Sequence, residues 1–468
     1  MRFSRRGLLR TAAALPLAAY GLHRGAYAQN SQPAAGPTAA GQASPGSNGE
    51  PPPILFVHGN GDHAALWITA LWRMESNGVP RERMLALNFT DPLARTDDNK
   101  PQPLRSSTQD QRGELAEAVA ALKQRTGAAR VALVGNSRGG YAIRNLIKNG
   151  GGADVSHAVL CGVPNHGVYA WDEGLGNEFN GRGPFLSGLN GGATEVTAGT
   201  AFLTLRSDGY DKYAQPDGSF VGKPGQPTNV TFEGPELRGA TNLVLGRLDH
   251  RETAFSARAF REIYRFIAGR EPQRVAIVPE AEVRLSGLVT GTPGGVPTNR
   301  PVADASVEIY RVSPDTGERI GSAIHTAKTT ADGHWGTASV QPDWYLEFVL
   351  GVAGSPITHI YRSPFPRSSE VVHLRAAKSL GSADSGVGAL VTMSRPRGYF
   401  GLPRDIVLLD GKVPNDVKSG VPTDSVATVR LPASAIGRPV AALFNEERIV
   451  ARSWPAAQNH VSIAELTY

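Results

Sequence analysis

A chain of 468 residues is too long for one ordinary domain and calls for two or three. Its formal charge of +6 falls to about +1 when the five arginines of residues 1–28 (Arg2, Arg5, Arg6, Arg10 and Arg24), which stand among no acids, are set aside. The basic balance therefore belongs to the N-terminus, and no nucleic-acid partner is expected. A single cysteine, Cys161, excludes an intramolecular disulfide, and no later run reaches the ~20 apolar residues that would give a transmembrane segment.

The N-terminus has the order of an export signal. Arg5-Arg6 is followed by Gly7, Leu8 and Leu9, a modestly apolar run from Ala12 to Tyr20, and the small-x-small site Ala26-Tyr27-Ala28. The pattern looks like a twin-arginine signal over 1–28, and the expectation is a periplasmic or secreted protein. Residues 29–53 are Ala, Gly, Pro, Ser and Gln with almost no large apolar side chain, the composition of a disordered linker.

From residue 54 the pattern changes. Ile54 to Val57 reads as a strand that ends in His58-Gly59-Asn60-Gly61, after which Leu66, Trp67, Leu71 and Trp72 recur at helical spacing. Met84 to Phe89 reads as the next strand. Leu115, Val119 and Leu122 predict a helix that Gly127 stops, just before the apolar run Val131 to Val134. That run enters Gly135-Asn136-Ser137-Arg138-Gly139, and a helical pattern starts at once with Tyr141, Ile143, Leu146 and Ile147. Apolar runs follow at 157–163, 201–206 and 241–246, with a last helix capped by Ser256 and carrying Phe260, Ile263 and Ile267. Strands alternating with helices mean an α/β doubly wound, mostly parallel sheet over 54–272. The insert between Val163 and Ala201 is Gly-rich but holds Val168, Tyr169, Trp171, Phe179, Phe185, Leu186 and Leu189, so it is expected to cover a hydrophobic cleft. Beyond Arg270 short β-branched and aromatic segments alternate with turns, as in Ala305 to Tyr310 and Trp344 to Phe348. Residues 280–378 read as an all-β sandwich-like domain, and 386–468 as a second β domain or the completion of the first.

A G-x-S-x-G motif is expected by chance on the order of 0.4 times in a chain with 54 glycines, so its context must carry the claim. The context is strand, tight turn and helix, a corner that lifts the Ser137 hydroxyl above the sheet as a candidate nucleophile. Such chemistry needs a base, an acid that fixes the base in one tautomer, and donors for the oxyanion. His250 follows a late strand just ahead of the final helix and is the candidate base. Asp208 and Asp211 both follow the strand at 202–206; Asp211 is preferred because a carboxylate displaced past the strand edge can reach the His loop, and Asp208 is the alternative. Asp249 adjoins His250 in sequence, and neighbouring side chains diverge. The N–H groups of Asn60 and Arg138 are the candidate oxyanion donors. No Cys/His cluster or H-E-x-x-H spacing accompanies Asp62 and His63, so no metal or cofactor is expected.

These residues resemble an α/β-hydrolase of the bacterial lipase and esterase group over residues 54 to about 270. The likeness is nearest to the class 2 lipase type, in Val57 to Gly61, Gly135 to Gly139, Pro164 to Gly167, Pro184 to Asn190 and the late His250. The resemblance implies Ser137, an aspartate at 208 to 211 and His250 as triad, with Asn60 and Arg138 at the oxyanion. The elbow departs from the group at Asn136 and Arg138, where His and Met or Gln are common, and Arg138 is expected to bring a positive side chain toward the cleft. Residues 282–375 resemble transthyretin-like or carboxypeptidase-regulatory β-sandwiches, and the whole layout is similar to an archaeal lipase with a C-terminal lipid-binding β-domain. The reading is an exported serine hydrolase of carboxylic esters acting through an acyl-enzyme. Its substrate would be an ester, including water-insoluble lipid or polyester. A polyester depolymerase and a catalytically silent binding protein are the alternatives.

Overall fold

The computed structural model describes residues 50–468, so the export signal expected over 1–28 and nearly all of the 29–53 linker lie outside the described residues. Six strands form one parallel sheet: β1 (Ile54–Val57), β2 (Met84–Leu87), β3 (Val131–Asn136), β4 (Val155–Cys161), β5 (Ala201–Arg206) and β6 (Thr241–Val244). Their order is β2-β1-β3-β4-β5-β6, with β3 beside β1 at the centre. Every residue of β1, β3 and β4 is buried, as expected where helices cover both faces. The two-residue pleat then splits each strand between two cores: Ile54, Phe56, Ala132 and Val134 face one, Leu55, Val57, Val131 and Leu133 the other.

The helices are α1 (Ile68–Glu75), α2 (Thr108–Thr126), α3 (Arg138–Lys148), α4 (Pro184–Asn190), α5 (Glu252–Phe255) and α6 (Ala257–Ala268). Local chemistry sets their ends. In α2 the Ser107 hydroxyl accepts from the Asp110 N–H while the Asp110 carboxylate accepts from the Ser107 N–H, and Gly127 closes the helix at φ 67°. Ser256 caps α6 by accepting from the Ala259 N–H.

A second, seven-stranded sheet lies beyond α6. Its strands run in the order His325–Lys328, Ser306–Val312, Tyr345–Gly351, Ile357–Arg362, His460–Glu465, Ala389–Ser394 and Val426–Leu431. The last strand in sequence is inserted in parallel between Ile357–Arg362 and Ala389–Ser394, so one sheet runs through both 280–378 and 386–468. The first β segment also shares a core with the helices of the parallel sheet: Trp72 of α1 meets the Phe365 ring edge-on at 6.1 Å and donates from its indole to the Ser368 carbonyl at 3.0 Å. Among the described residues no helix is long and apolar enough to cross a membrane.

His157 is buried and His63 and His373 are half-buried, and desolvation lowers their pKa: His157 to about 4 and His373 to about 3, with His63 well below its ordinary value. Between those values and the unfolded value near 6.5 the unfolded chain binds more protons than the folded one. Stability is therefore full above pH 6.5 and falls on acidification, by roughly 2–3 kcal/mol per pH unit between pH 6 and 4 from His157 and His373 together. Denaturant midpoints measured at pH 7, 6 and 5 check this; a flat profile contradicts it.

Candidate active site

Ser137 sits where β3 turns into α3, at φ 53° and ψ −125°, a region that a serine occupies only when its surroundings enforce it. The enforcement is steric and hydrogen-bonded. The Ser137 N–H donates to the Cys161 carbonyl at 3.1 Å, and the Gly140 N–H to the Ser137 carbonyl at 2.9 Å. A Cβ on Gly139 would stand 2.5 Å from the carbonyl oxygens of Val57 and His58, and one on Gly135 would stand 2.6 Å from the Ile143 side chain. Both motif glycines are thus required by close approach of β1 and α3. Cys161 itself is fully buried, and burial pushes its thiol up, which makes it inert.

The His58-Gly59-Asn60-Gly61 turn lies against this corner. A Cβ on Gly59 would approach the Ser137 Cβ at 3.0 Å. His58, fully buried, braces the turn: its Nδ1 donates to the Gly59 carbonyl at 2.9 Å and its Nε2 accepts from the Phe89 N–H at 3.1 Å. Burial lowers the His58 pKa, which preserves the neutral ring that this pair of bonds demands. Asn60 projects its side chain back to the Ala94 N–H at 2.8 Å. Arg138 is the first residue of α3, where the leading N–H groups have no intrahelical acceptor.

The structure brings His250 and Asp211 together. His250 Nδ1 donates to both Asp211 carboxylate oxygens, at 2.9 and 3.0 Å, and each residue is only 2% exposed. Asp211 is steadied in turn by the Tyr213 N–H at 2.8 Å. Asp208 is turned elsewhere, accepting from the N–H groups of Tyr210 and Arg247. Asp249 also points away from the imidazole, toward Arg395 at 2.7 Å. The bond to Asp211 fixes the proton on Nδ1, which leaves Nε2 bare, buried and without a hydrogen-bond partner among the described residues.

Ser137, His250 and Asn60 line one cavity of about 280 Å³. Val168, Tyr169, Asn177 and Phe179 of the insert also line it, as do Tyr213, Arg251 and Tyr399. The insert covers the cleft with only some of its apolar residues. Phe185 instead packs on Tyr141 at 5.7 Å, Leu186 and Leu189 are buried in the core beside α3, and Trp171 stacks on Tyr169 and donates to the Pro227 carbonyl. α4, which carries Phe185 to Leu189, uses its apolar face for the core because α3 offers it a partner.

The expectation for the Arg138 side chain is corrected. It is fully buried and turned away from the cleft, bound by two parallel contacts to Glu178 at 2.6 and 2.7 Å and further to Ser106 and the Pro92 carbonyl. A planar guanidinium needs carboxylate and carbonyl partners when desolvated, and Glu178 and Ser106 supply them. Its role is to tie α3 to the insert, one residue before Phe179. Only its backbone remains at the corner.

Four neighbours of the site escaped the sequence reading. Asn136 donates from its amide to the carbonyls of Cys161 (2.9 Å) and His250 (3.3 Å), joining the serine corner to the histidine turn. Tyr213 presents its ring to the His250 imidazole edge-on at 4.6 Å. Asp62 stands 3.3 Å from the Arg251 Nε. Burial weakens the Arg251 cation, but Asp62 and the nearby phenols outweigh it and push its pKa up. Tyr399 comes from the turn that follows strand Ala389–Ser394. Asn136 sits inside the motif, where an amide beside the nucleophile was a visible signal; Tyr399 carried none.

Residues 51–166 match the family model "Lipase (class 2)", and residues 281–379 match "Lipase C-terminal domain". No curated protein matches the chain in sequence. Among solved structures the chain is similar to Bacillus licheniformis lipase BlEst2 in its mature form (19% identity, 48% of this chain and 94% of that one, TM-score 0.35). It is also similar to a gene product of Listeria innocua (16% identity, 48% and 97%, TM-score 0.33). Aspergillus fumigatus lipase B shares 16% identity at TM-score 0.35 over 49% of this chain, which spans about half (55%) of that protein. By its two family matches the chain is similar over residues 51–166 to class 2 lipases and over residues 281–379 to the lipase C-terminal domain.

Proposed function

We propose that Ser137, His250 and Asp211 are the catalytic triad of an exported serine esterase, with the N–H groups of Asn60 and Arg138 as its oxyanion hole. The observation that carries this reading is the shared cavity: it is lined both by Ser137, on its positive-φ corner, and by His250, whose Nδ1 is held by Asp211 and whose Nε2 is bare. His250 Nε2 takes the hydroxyl proton as Ser137 Oγ attacks the ester carbonyl carbon. The carbonyl oxygen becomes an oxyanion at the N-terminus of α3, where two N–H donors and the helix dipole stabilise it. The intermediate collapses when His250 gives its proton to the departing alcohol, leaving an acyl group on Ser137. Water, deprotonated by the same imidazole, then releases the acid.

A cavity of about 280 Å³ lies at the small end of ligand sites, about 300–1,000 Å³, which favours short acyl groups. Release of p-nitrophenol from its acetate and butyrate esters by the purified chain, undiminished by EDTA, is the expected result; no turnover of either ester contradicts the reading. Export rests on Arg5-Arg6, the weakly apolar run and Ala26-Tyr27-Ala28. N-terminal sequencing of the protein recovered outside the cytoplasm should begin at Gln29, and retention in the cytoplasm with Met1 intact would oppose it.

A further inference from the structure

The segment from residue 386 onward lies outside both family matches, yet it reaches the catalytic cleft. We propose that this C-terminal segment is a working part of the active site: Arg395 positions the turn that carries His250, and Tyr399 walls the substrate cavity and limits the length of the group it admits. The inference rests on the triad reading above.

Strand Ala389–Ser394 ends at the buried Arg395. One of its guanidinium nitrogens donates to Asp249 Oδ2 at 2.7 Å and the other to Glu252 Oε1 at 2.6 Å, the two carboxylates that bracket His250 in sequence. Asp249 works with both oxygens. While Oδ2 is held by Arg395, Oδ1 accepts from the N–H groups of Arg251 (2.8 Å) and Glu252 (2.9 Å), closing the turn around His250. Arg404 secures Glu252 from the same side at 2.7 Å. Burial opposes the Asp249 charge, but Arg395 and Arg404 hold its carboxyl below the usual range, so these bonds are charge-assisted. With Asp249 fully buried, loss of Arg395 removes its nearest cation and leaves Arg404 at 3.8 Å as the remaining one, so the turn loses its closest anchor and shifts. The imidazole, one residue on, moves with it.

Tyr399 belongs to the same unit. Its N–H donates to Asp249 Oδ2 at 2.8 Å and its carbonyl accepts from Arg395 at 2.6 Å. Its ring is held by two cations, the Lys212 ammonium 3.7 Å from the ring centre and the Arg251 guanidinium at 5.2 Å. Lys212 also reaches the Thr423 carbonyl at 3.1 Å, which ties the residue after Asp211 to the C-terminal segment. Burial lowers the Lys212 pKa to about 8. A ring so clamped is a fixed part of the lining that Val168 and Phe179 share, and it stops an acyl chain instead of yielding to it.

Initial rates on p-nitrophenyl acetate and octanoate, with thermal melting of each variant, test both halves on the full chain. Arg395→Met is expected to lower kcat on the order of 10²-fold with KM little changed, since displacement of a catalytic group by an ångström suffices for that. Arg395→Lys should recover part of kcat, because its ammonium still meets Asp249. Should Arg395→Met fail to fold, Asp249→Asn replaces it, keeping Oδ1 for the turn and losing the charge that faces Arg395. Tyr399→Ala should raise the octanoate-to-acetate ratio of kcat/KM on the order of 10-fold. Wild-type kcat in Arg395→Met or Asp249→Asn overturns the positioning role, and an unchanged ratio in Tyr399→Ala overturns the wall, with the triad untouched. Full turnover by Ser137→Ala brings down the triad reading, and this inference with it.

Discussion

Ser137→Ala is expected to lower kcat on short p-nitrophenyl esters by on the order of 10⁴- to 10⁶-fold, leaving only what the oxyanion donors and binding provide. The size follows from the division of labour at the corner. Under the proposed mechanism no covalent intermediate forms without the hydroxyl, and water attacking directly would have neither the positioning nor the shared proton of His250. The substitution is mild for the fold. The Ser137 hydroxyl caps no helix N–H, and alanine keeps the Cβ that the 53° φ already accommodates. The variant should melt close to wild type, so lost turnover reports chemistry. Turnover within a few-fold of wild type would remove Ser137 from the mechanism.

Asp211→Asn is expected to cost on the order of 10⁴-fold in kcat, through the tautomer of His250. The carboxylate accepts from Nδ1 with both oxygens and from the Tyr213 N–H. An amide can present its NH₂ to Nδ1, which drives the proton to Nε2 and disables the base. Asp208→Asn is the matched control. Its carboxylate serves the N–H groups of Tyr210 and Arg247, so its loss should loosen a turn and leave kcat within a few-fold of wild type. A collapse in Asp208→Asn with activity kept in Asp211→Asn would reverse the assignment.

The fold of the catalytic half was legible because its central strands are short runs apolar on both faces. Val131 to Val134 and Ile54 to Val57 are short β-rich runs that bury every side chain, as strands of a sheet covered on both faces do. The serine corner was legible for a related reason: its glycines answer to backbone atoms a few ångströms away. The choice between Asp208 and Asp211 was not fixed by spacing alone, since both follow β5; the short 3₁₀ turn at Lys212–Ala214, which Asp211 caps, aims one carboxylate at His250 and leaves the other outside. The direction of the Arg138 side chain depended on Glu178, 40 residues later, and periodicity says nothing about such a pairing. The longest-range features were the least legible. Arg395 meets Asp249 across 146 residues, and the sheet that delivers it closes only when the last strand inserts in parallel beside Ile357–Arg362. Such contacts are set by tertiary packing, which leaves no mark on local pattern.

The most direct test of the central claim is covalent. A fluorophosphonate reacts with a serine only where a neighbouring base and oxyanion donors activate it. After incubation of the full chain with such a probe, intact mass should rise by one adduct, and peptide mapping should place that adduct on Ser137. Ser137→Ala should remain unmodified. An unlabelled wild-type protein that still hydrolyses p-nitrophenyl butyrate, or an adduct on any other serine, would contradict the account.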